Sequence, residues 1–193
     1  MPDKDLFADR ARGLEEEFFR KKEQELIEKL RQNAKVATEK HQIGAAIGVS
    51  DEKTLNDLLE LGYTRETVAL LHLVPLVQVA WAEGNVSKRE RELIMEAARA
   101  RGIQVGSAAH KKLAEWLERR PTDGFFQKTL VIIQAILGAL PEDQQEGSKR
   151  DLVAYCTRIA EASGGILGLG GKIDDAESAL LRKIAASLEA SRK

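Results

Sequence analysis

The sequence predicts an all-α fold, an internally duplicated helical bundle with a long N-terminal amphipathic helix, and three observations carry that expectation. Ala, Leu, Glu, Lys and Arg dominate the 193 residues, while 5% are aromatic and four are proline, a balance that favours helix over strand. Apolar residues recur at helical spacing in segment after segment, each bounded by a capping residue or a glycine. Two glycine corners, around Gly84 and Gly171, read as copies of one turn that opens an amphipathic helix.

The leading segment runs from Asp3 to Lys40 with Gly13 as its only glycine and no proline, and Phe7, Leu14, Phe18, Leu26, Leu30 and Ala34 form a narrow apolar stripe. Glu16 with Arg20, Glu17 with Lys21 and Glu25 with Lys29 stand in the acid-first i,i+4 order, worth about 0.2 to 0.5 kcal/mol a pair. Such a helix packs across a globular body or pairs with another helix. Residues 41–63 form a short helix and linker: Gly44 and Gly48 break the leading helix, Ser50 or Asp51 caps the next, and Gly62 ends it. The third division, 64–193, is the bundle. Thr64 caps a helix from Val68 to Trp81 that is apolar almost all round, as a central helix should be, and Pro75 bends it. Further helices follow over Ser87–Arg101, Ser107–Arg120, Thr122–Leu140, Pro141–Ser163 and Asp174–Ala190.

Charge excludes some function classes. Lys and Arg total 30 against 31 Asp and Glu, a formal net charge of -1, so nothing draws the whole chain to nucleic acid or anionic lipid. The basic residues near Lys88 and Lys111 alternate with glutamates and read as a solvated mixed face. Cys156 is the only cysteine, which rules out an intramolecular disulfide and fits a reducing compartment. Met1 to Arg12 holds no apolar run of the kind a secretory signal needs, and the apolar windows Val68–Ala82 and Phe125–Leu140 fall short of the roughly 20 residues of a membrane span. The expected location is the cytoplasm.

The two corners carry the candidate chemistry. Ser87 with Glu90, and Asp174 with Glu177, match the capping box, in which the first side chain accepts from the third amide and the glutamate reaches back to the first. A sharper reading sets Glu83, Asn85 and Glu90 around a divalent cation such as calcium, with Asp174, Asp175 and Glu177 as the corresponding set in the second copy. Neither corner has the dense acid spacing of an EF-hand loop. His41, His72 and His110 form no zinc-binding pattern, His72 reads as a hydrogen-bonded core residue, and Cys156 as a small buried one. Gly164 to Lys172 lacks the phosphate-loop spacing and reads as an apolar loop whose Ile166, Leu167 and Leu169 fold back on the core. No catalytic residue is assigned.

The segment Ala80-Trp81-Ala82-Glu83-Gly84-Asn85-Val86-Ser87-Lys88-Arg89-Glu90-Arg91-Glu92-Leu93-Ile94 resembles the first signature of the TerB-like (tellurite-resistance B) helical family: an alanine-rich helix end, Asp-Gly, a β-branched residue and a glutamate opening the next helix. Gly171-Lys172-Ile173-Asp174-Asp175-Ala176-Glu177 resembles the second. Glu83 stands where the family usually has aspartate, and Gly170 where the second signature has its leading acid. The resemblance covers about Thr64 to Ala190. It implies an internally duplicated helical fold, a non-enzymatic cytoplasmic binding or scaffold role in a stress-linked assembly, and metal-binding acids. The N-terminal run Phe7 to Phe18 is similar to the start of zeta-type inhibitors of bacterial F-type ATP synthases. That similarity implies the alternative function: regulatory inhibition of a larger enzyme, with Phe7, Leu14 and Phe18 anchoring the helix in a groove. The expected partners are proteins, a second copy of this chain among them, through the N-terminal helix.

Overall fold

The computed structural model describes residues 3–163 and 175–189, with side chains from 15–162 and 178–188. Among the described residues there are helices and no strand. The chain divides into two compact units, Met1–His41 and Gln42–Lys193.

The first unit is helix α1, Asp3–Ile47, whose last turns belong to the second unit. It continues past Lys40, where the sequence suggested a stop, because Gly44 is used inside the helix. The carbonyl of Gly44 accepts the Val49 N–H at 3.0 Å, closing the helix one turn later at Gly48, whose φ is 70°. Gly44 is needed for space: a Cβ there would lie 2.5 Å from the Val49 carbonyl oxygen. Ile43 is fully buried in the core of the second unit, which also takes in Leu55, Leu58 and Tyr63 from the 41–63 segment.

In the second unit, α2 is Glu52–Glu60, capped by Asp51, whose Oδ2 accepts from Thr54 N–H at 2.8 Å. The Thr54 bonds hold the Asp51 carboxyl below its ordinary pKa. Thr64 does not cap a helix. Its carbonyl accepts from Thr67 and Val68 N–H, forming a turn that leads into a 3-10 helix, Val68–Leu73. Helix α3, Val74–Ala80, then begins with Pro75 in its first turn. The expected single bent helix is therefore a 3-10 segment followed by an α-helix. Proline has no N–H to offer the Leu71 carbonyl, and the Val74 N–H serves it instead, in the tighter pattern.

That change of pitch also overturns the reading of His72. With three residues per turn, Ala69 and His72 line up on one face and are exposed, while Val68, Leu70, Leu71 and Leu73 turn inward. Helices α4 (Lys88–Ala100), α5 (Ala108–Glu118) and α6 (Asp123–Gly138) begin at the caps the sequence marks, Ser87, Ser107 and Thr122, each accepting from an amide three residues on. Helices α7 (Glu142–Ser163) and α8 (Asp175–Glu189) complete the bundle. Helix α3 packs against α4, α6, α7 and α8, and its Leu76, Val77 and Val79 are fully buried, as expected of a central helix.

Candidate functional site

The first corner joins α3 to α4 through Trp81 to Ser87. Gly84 turns the chain with a φ of 85°, a left-handed conformation that side chains disfavour, and its N–H reaches the Trp81 carbonyl at 3.0 Å. The capping box is complete: Glu90 N–H donates to Ser87 Oγ at 3.2 Å, and Ser87 N–H donates to Glu90 Oε2 at 2.7 Å. Glu90 is 2% exposed, whereas Glu83 and Asn85 are exposed. The corner thus sends one acid inward as a cap and leaves its neighbours in solvent. Among the described residues no group of three or more His, Cys, Asp or Glu side chains stands where it could hold a metal ion.

For the second corner, Asp174 and the Gly164–Lys172 loop with Ile166, Leu167 and Leu169 lie outside the described residues, as do the side chains of Asp175 and Glu177. Those of Phe7 and Leu14 also lie outside them. Asp175 and Glu177 fall in the first turn of α8, the helix that the sequence starts at this corner.

Two side chains of the first signature have a role that sequence reasoning missed. The Trp81 indole Nε1–H donates to the Trp116 carbonyl at 2.8 Å, and Arg91 Nη2 donates to the Leu117 carbonyl at 2.8 Å. Both acceptors belong to the last turn of α5, where carbonyls have no helical partner and a cation is favoured by the helix dipole. Both bonds pin the corner to α5. The end of α5 is in turn held by an aromatic cluster, with Trp116 5.2 Å from Phe125 and Tyr63 stacked on Phe125 at 6.0 Å between ring centres. The Tyr63 hydroxyl lies 3.4 Å from Thr129 Oγ1, and burial raises its pKa well above the usual phenol value.

Beside the corner, α4 and α7 form an open cleft of about 680 Å³, lined by Ser87, Lys88, Arg89, Leu93, Arg158 and Glu161. It holds cations of both helices and one acid. Among the described residues that line it, no nucleophile stands with a base. Farther along α7, Arg101 and Arg158 stack on the Tyr155 ring, 4.7 and 5.9 Å from its centre. Cys156 is fully buried, and burial pushes its thiol up to about 12. Of the basic residues near Lys88 and Lys111, Lys88 pairs with Glu92 at 4.0 Å and Lys112 with Glu115 at 3.0 Å, within the mixed face the sequence suggested.

The other candidate is α1. Every residue from Glu15 to Thr38 is exposed, including Phe19 at 67%, Leu26 at 58% and Leu30 at 58%. Phe18 is exposed as well, with Phe19 edge-on to its ring and Lys22 above it at 5.1 Å. The acid-first pairs Glu16–Arg20, Glu17–Lys21 and Glu25–Lys29 do not close to ion-pair distance. This stretch therefore has helical form without burial. Apolar side chains exposed along one helix are the anchors by which a helix docks in a groove. No helix among the described residues is long and apolar enough to cross a membrane. In comparisons with known proteins, no family model, curated protein or solved structure matches the chain.

Proposed function

We propose that the chain is a non-enzymatic, TerB-like binding module of the cytoplasm, in which the bundle is the mount and α1 is the docking element. The observation that carries this reading is the exposed apolar surface of α1, with Phe19, Leu26 and Leu30 each more than half exposed. Isolated helices are marginal in water, and their stability in proteins comes from covering an apolar face. The chemistry of the bundle supports a structural role for it. Glu90 is engaged in a cap, Cys156 is a buried thiol, and Trp81 and Arg91 serve as ties between helices. The two TerB-like signatures support an assembly linked to stress as the setting.

The test is a triple variant, Phe19→Glu, Leu26→Glu and Leu30→Glu, compared with the full wild-type chain by cross-linking in the cells that express it, followed by identification of the linked chains. The variant should lose the associations of the wild type while its thermal midpoint, set by the bundle, stays the same. Retention of the same associations would remove α1 as the docking element. Loss of bundle stability would show that the apolar face serves the bundle instead.

A further inference from the structure

The docking reading leaves the occupant of α1 open, and the charges along the helix select one. In α1 a seven-residue frame places Phe19, Leu26, Leu30 and Ala37 at core positions of a two-helix seam, with Ile27 and Val36 on its flanks and Phe18 outside it. Glu16, Glu23 and Asn33 fall on the same stripe, at the remaining core positions of that stretch.

Two copies aligned in parallel would bring Glu16 onto Glu16 and Glu23 onto Glu23 within the seam. Antiparallel pairing about an axis beside Glu28 removes both clashes. It sets Glu23 opposite Asn33, which can donate to the carboxylate, Leu26 opposite Leu30, and the large Phe19 opposite the small Ala37. A two-fold axis repeats every one of these contacts, as an isologous dimer requires. Ile27 meets Ile27 along one flank, adding apolar cover. On the other flank Lys29 meets Lys29, and each has Glu25 one turn earlier on its own helix to offset the charge. Polar residues placed this way in a seam fix orientation and register at some cost in stability.

We propose that α1 is a self-association element and that its occupant is a second copy of this chain, paired antiparallel through Phe19, Leu26, Leu30 and Ala37. This rests on the docking reading and deepens it by naming the partner. Neither Glu23 nor Asn33 then lacks a favourable neighbour, and the exposed stripe becomes the core of a dimer.

The experiment uses the full chain. Light scattering after size exclusion, at micromolar concentration, should give about twice the 21.3 kDa chain mass for the wild type and the single-chain mass for the Leu26→Glu, Leu30→Glu variant. Orientation is read by mild oxidation of Phe19→Cys and Ala37→Cys chains, alone and mixed; Cys156 is buried and stays out of reach. The mixed sample should form the disulfide-linked dimer and neither variant alone should. In a parallel pair the two positions lie about 27 Å apart along the helix and the mixed product cannot form. A wild type that is monomeric at a hundred micromolar overturns the proposal, and Ala37→Cys linking to itself overturns the antiparallel register. A monomer whose triple-glutamate variant has nonetheless lost its cellular associations keeps the docking reading with another occupant. A monomer whose variant keeps them removes both.

Discussion

Replacing Gly44 and Gly147 by alanine makes the same chemical change in the interior of two helices, and the structure gives the two changes opposite signs. Gly147 lies within α7 and a Cβ there would meet nothing within 4 Å. Alanine should therefore gain the ordinary helix preference over glycine, about 1 kcal/mol. Gly44 gains the same preference, but its new Cβ would sit 2.5 Å from the Val49 carbonyl oxygen, a separation that real Cβ atoms essentially never show. The obstacle is backbone, held by the 3.0 Å bond from Val49 N–H to the Gly44 carbonyl. Moving it forfeits that bond, worth about 1 kcal/mol net, and adds the roughly 1 to 3 kcal/mol typical of overpacking. After the preference is subtracted, Gly44→Ala should destabilise the second unit by about 1 to 3 kcal/mol. For a unit of this size each kcal/mol moves the thermal midpoint by about 2 to 4 °C. Calorimetry of the full chain should then show Gly147→Ala a few degrees above the wild type and Gly44→Ala below it. Equal shifts, or a rise for Gly44→Ala, would refute the claim that α1 ends by a close approach of backbone to Gly44.

Three further outcomes can be measured on the same chain. At the first corner, Glu90→Ala should lower the midpoint by the equivalent of about 1 to 2 kcal/mol, since the half-buried Ser87 amide loses its acceptor, and Glu90→Gln, which can still close a capping box, should lower it less. The cap alone predicts no effect of millimolar calcium, so a calcium-dependent rise in the wild type that is absent from a Glu83→Ala, Glu90→Ala variant would assign these acids to a cation as well. Within α3, the Gln78 Oε1 is buried without a hydrogen-bond partner among the described residues, and Gln78→Met should be neutral or stabilising by about 1 kcal/mol in urea unfolding. A clear loss of stability would mean the amide has a partner. Finally, Cys156 should resist thiol reagents in the folded protein and react after unfolding. Its pKa is raised on folding, as is that of Tyr63, so both groups favour the folded state below their unfolded values. Stability should fall as pH climbs from about 9 toward 12, while the unfolded chain ionises and the folded one does not. A flat profile across that range would contradict their burial.

Four helix starts were legible because capping is local, with Asp51 one of the two caps offered for α2, whereas Thr64 has the right side chain but forms a turn instead. Asp51, Ser87, Ser107 and Thr122 each bind an amide three residues away, and no distant residue enters. The end of α1 was less so: Gly44 reads as a breaker, yet its carbonyl bond to Val49 needs it inside the helix. The placement of His72 depended on a change from α to 3-10 pitch that hydrophobic spacing does not reveal. At the corner, the capping partnership of Ser87 and Glu90 was readable from their spacing. The bonds from Trp81 and Arg91 to α5 were not, because their acceptors are backbone carbonyls, which every residue carries and no sequence pattern marks. The exposure of α1 was half legible: an apolar stripe along the helix is in the sequence, while the exposed state of Glu15 to Thr38 is read from the structure.

The joint between the corner and α5 has an optical consequence. The chain has two tryptophans, and both are there, the indole of Trp81 bonded to the main chain of Trp116. All of the indole emission therefore originates at this one junction, and quenching or a wavelength shift would register its opening. Pairing through the leading helix, which carries no tryptophan, would leave that signal dark, so light emission and particle mass report on separate events.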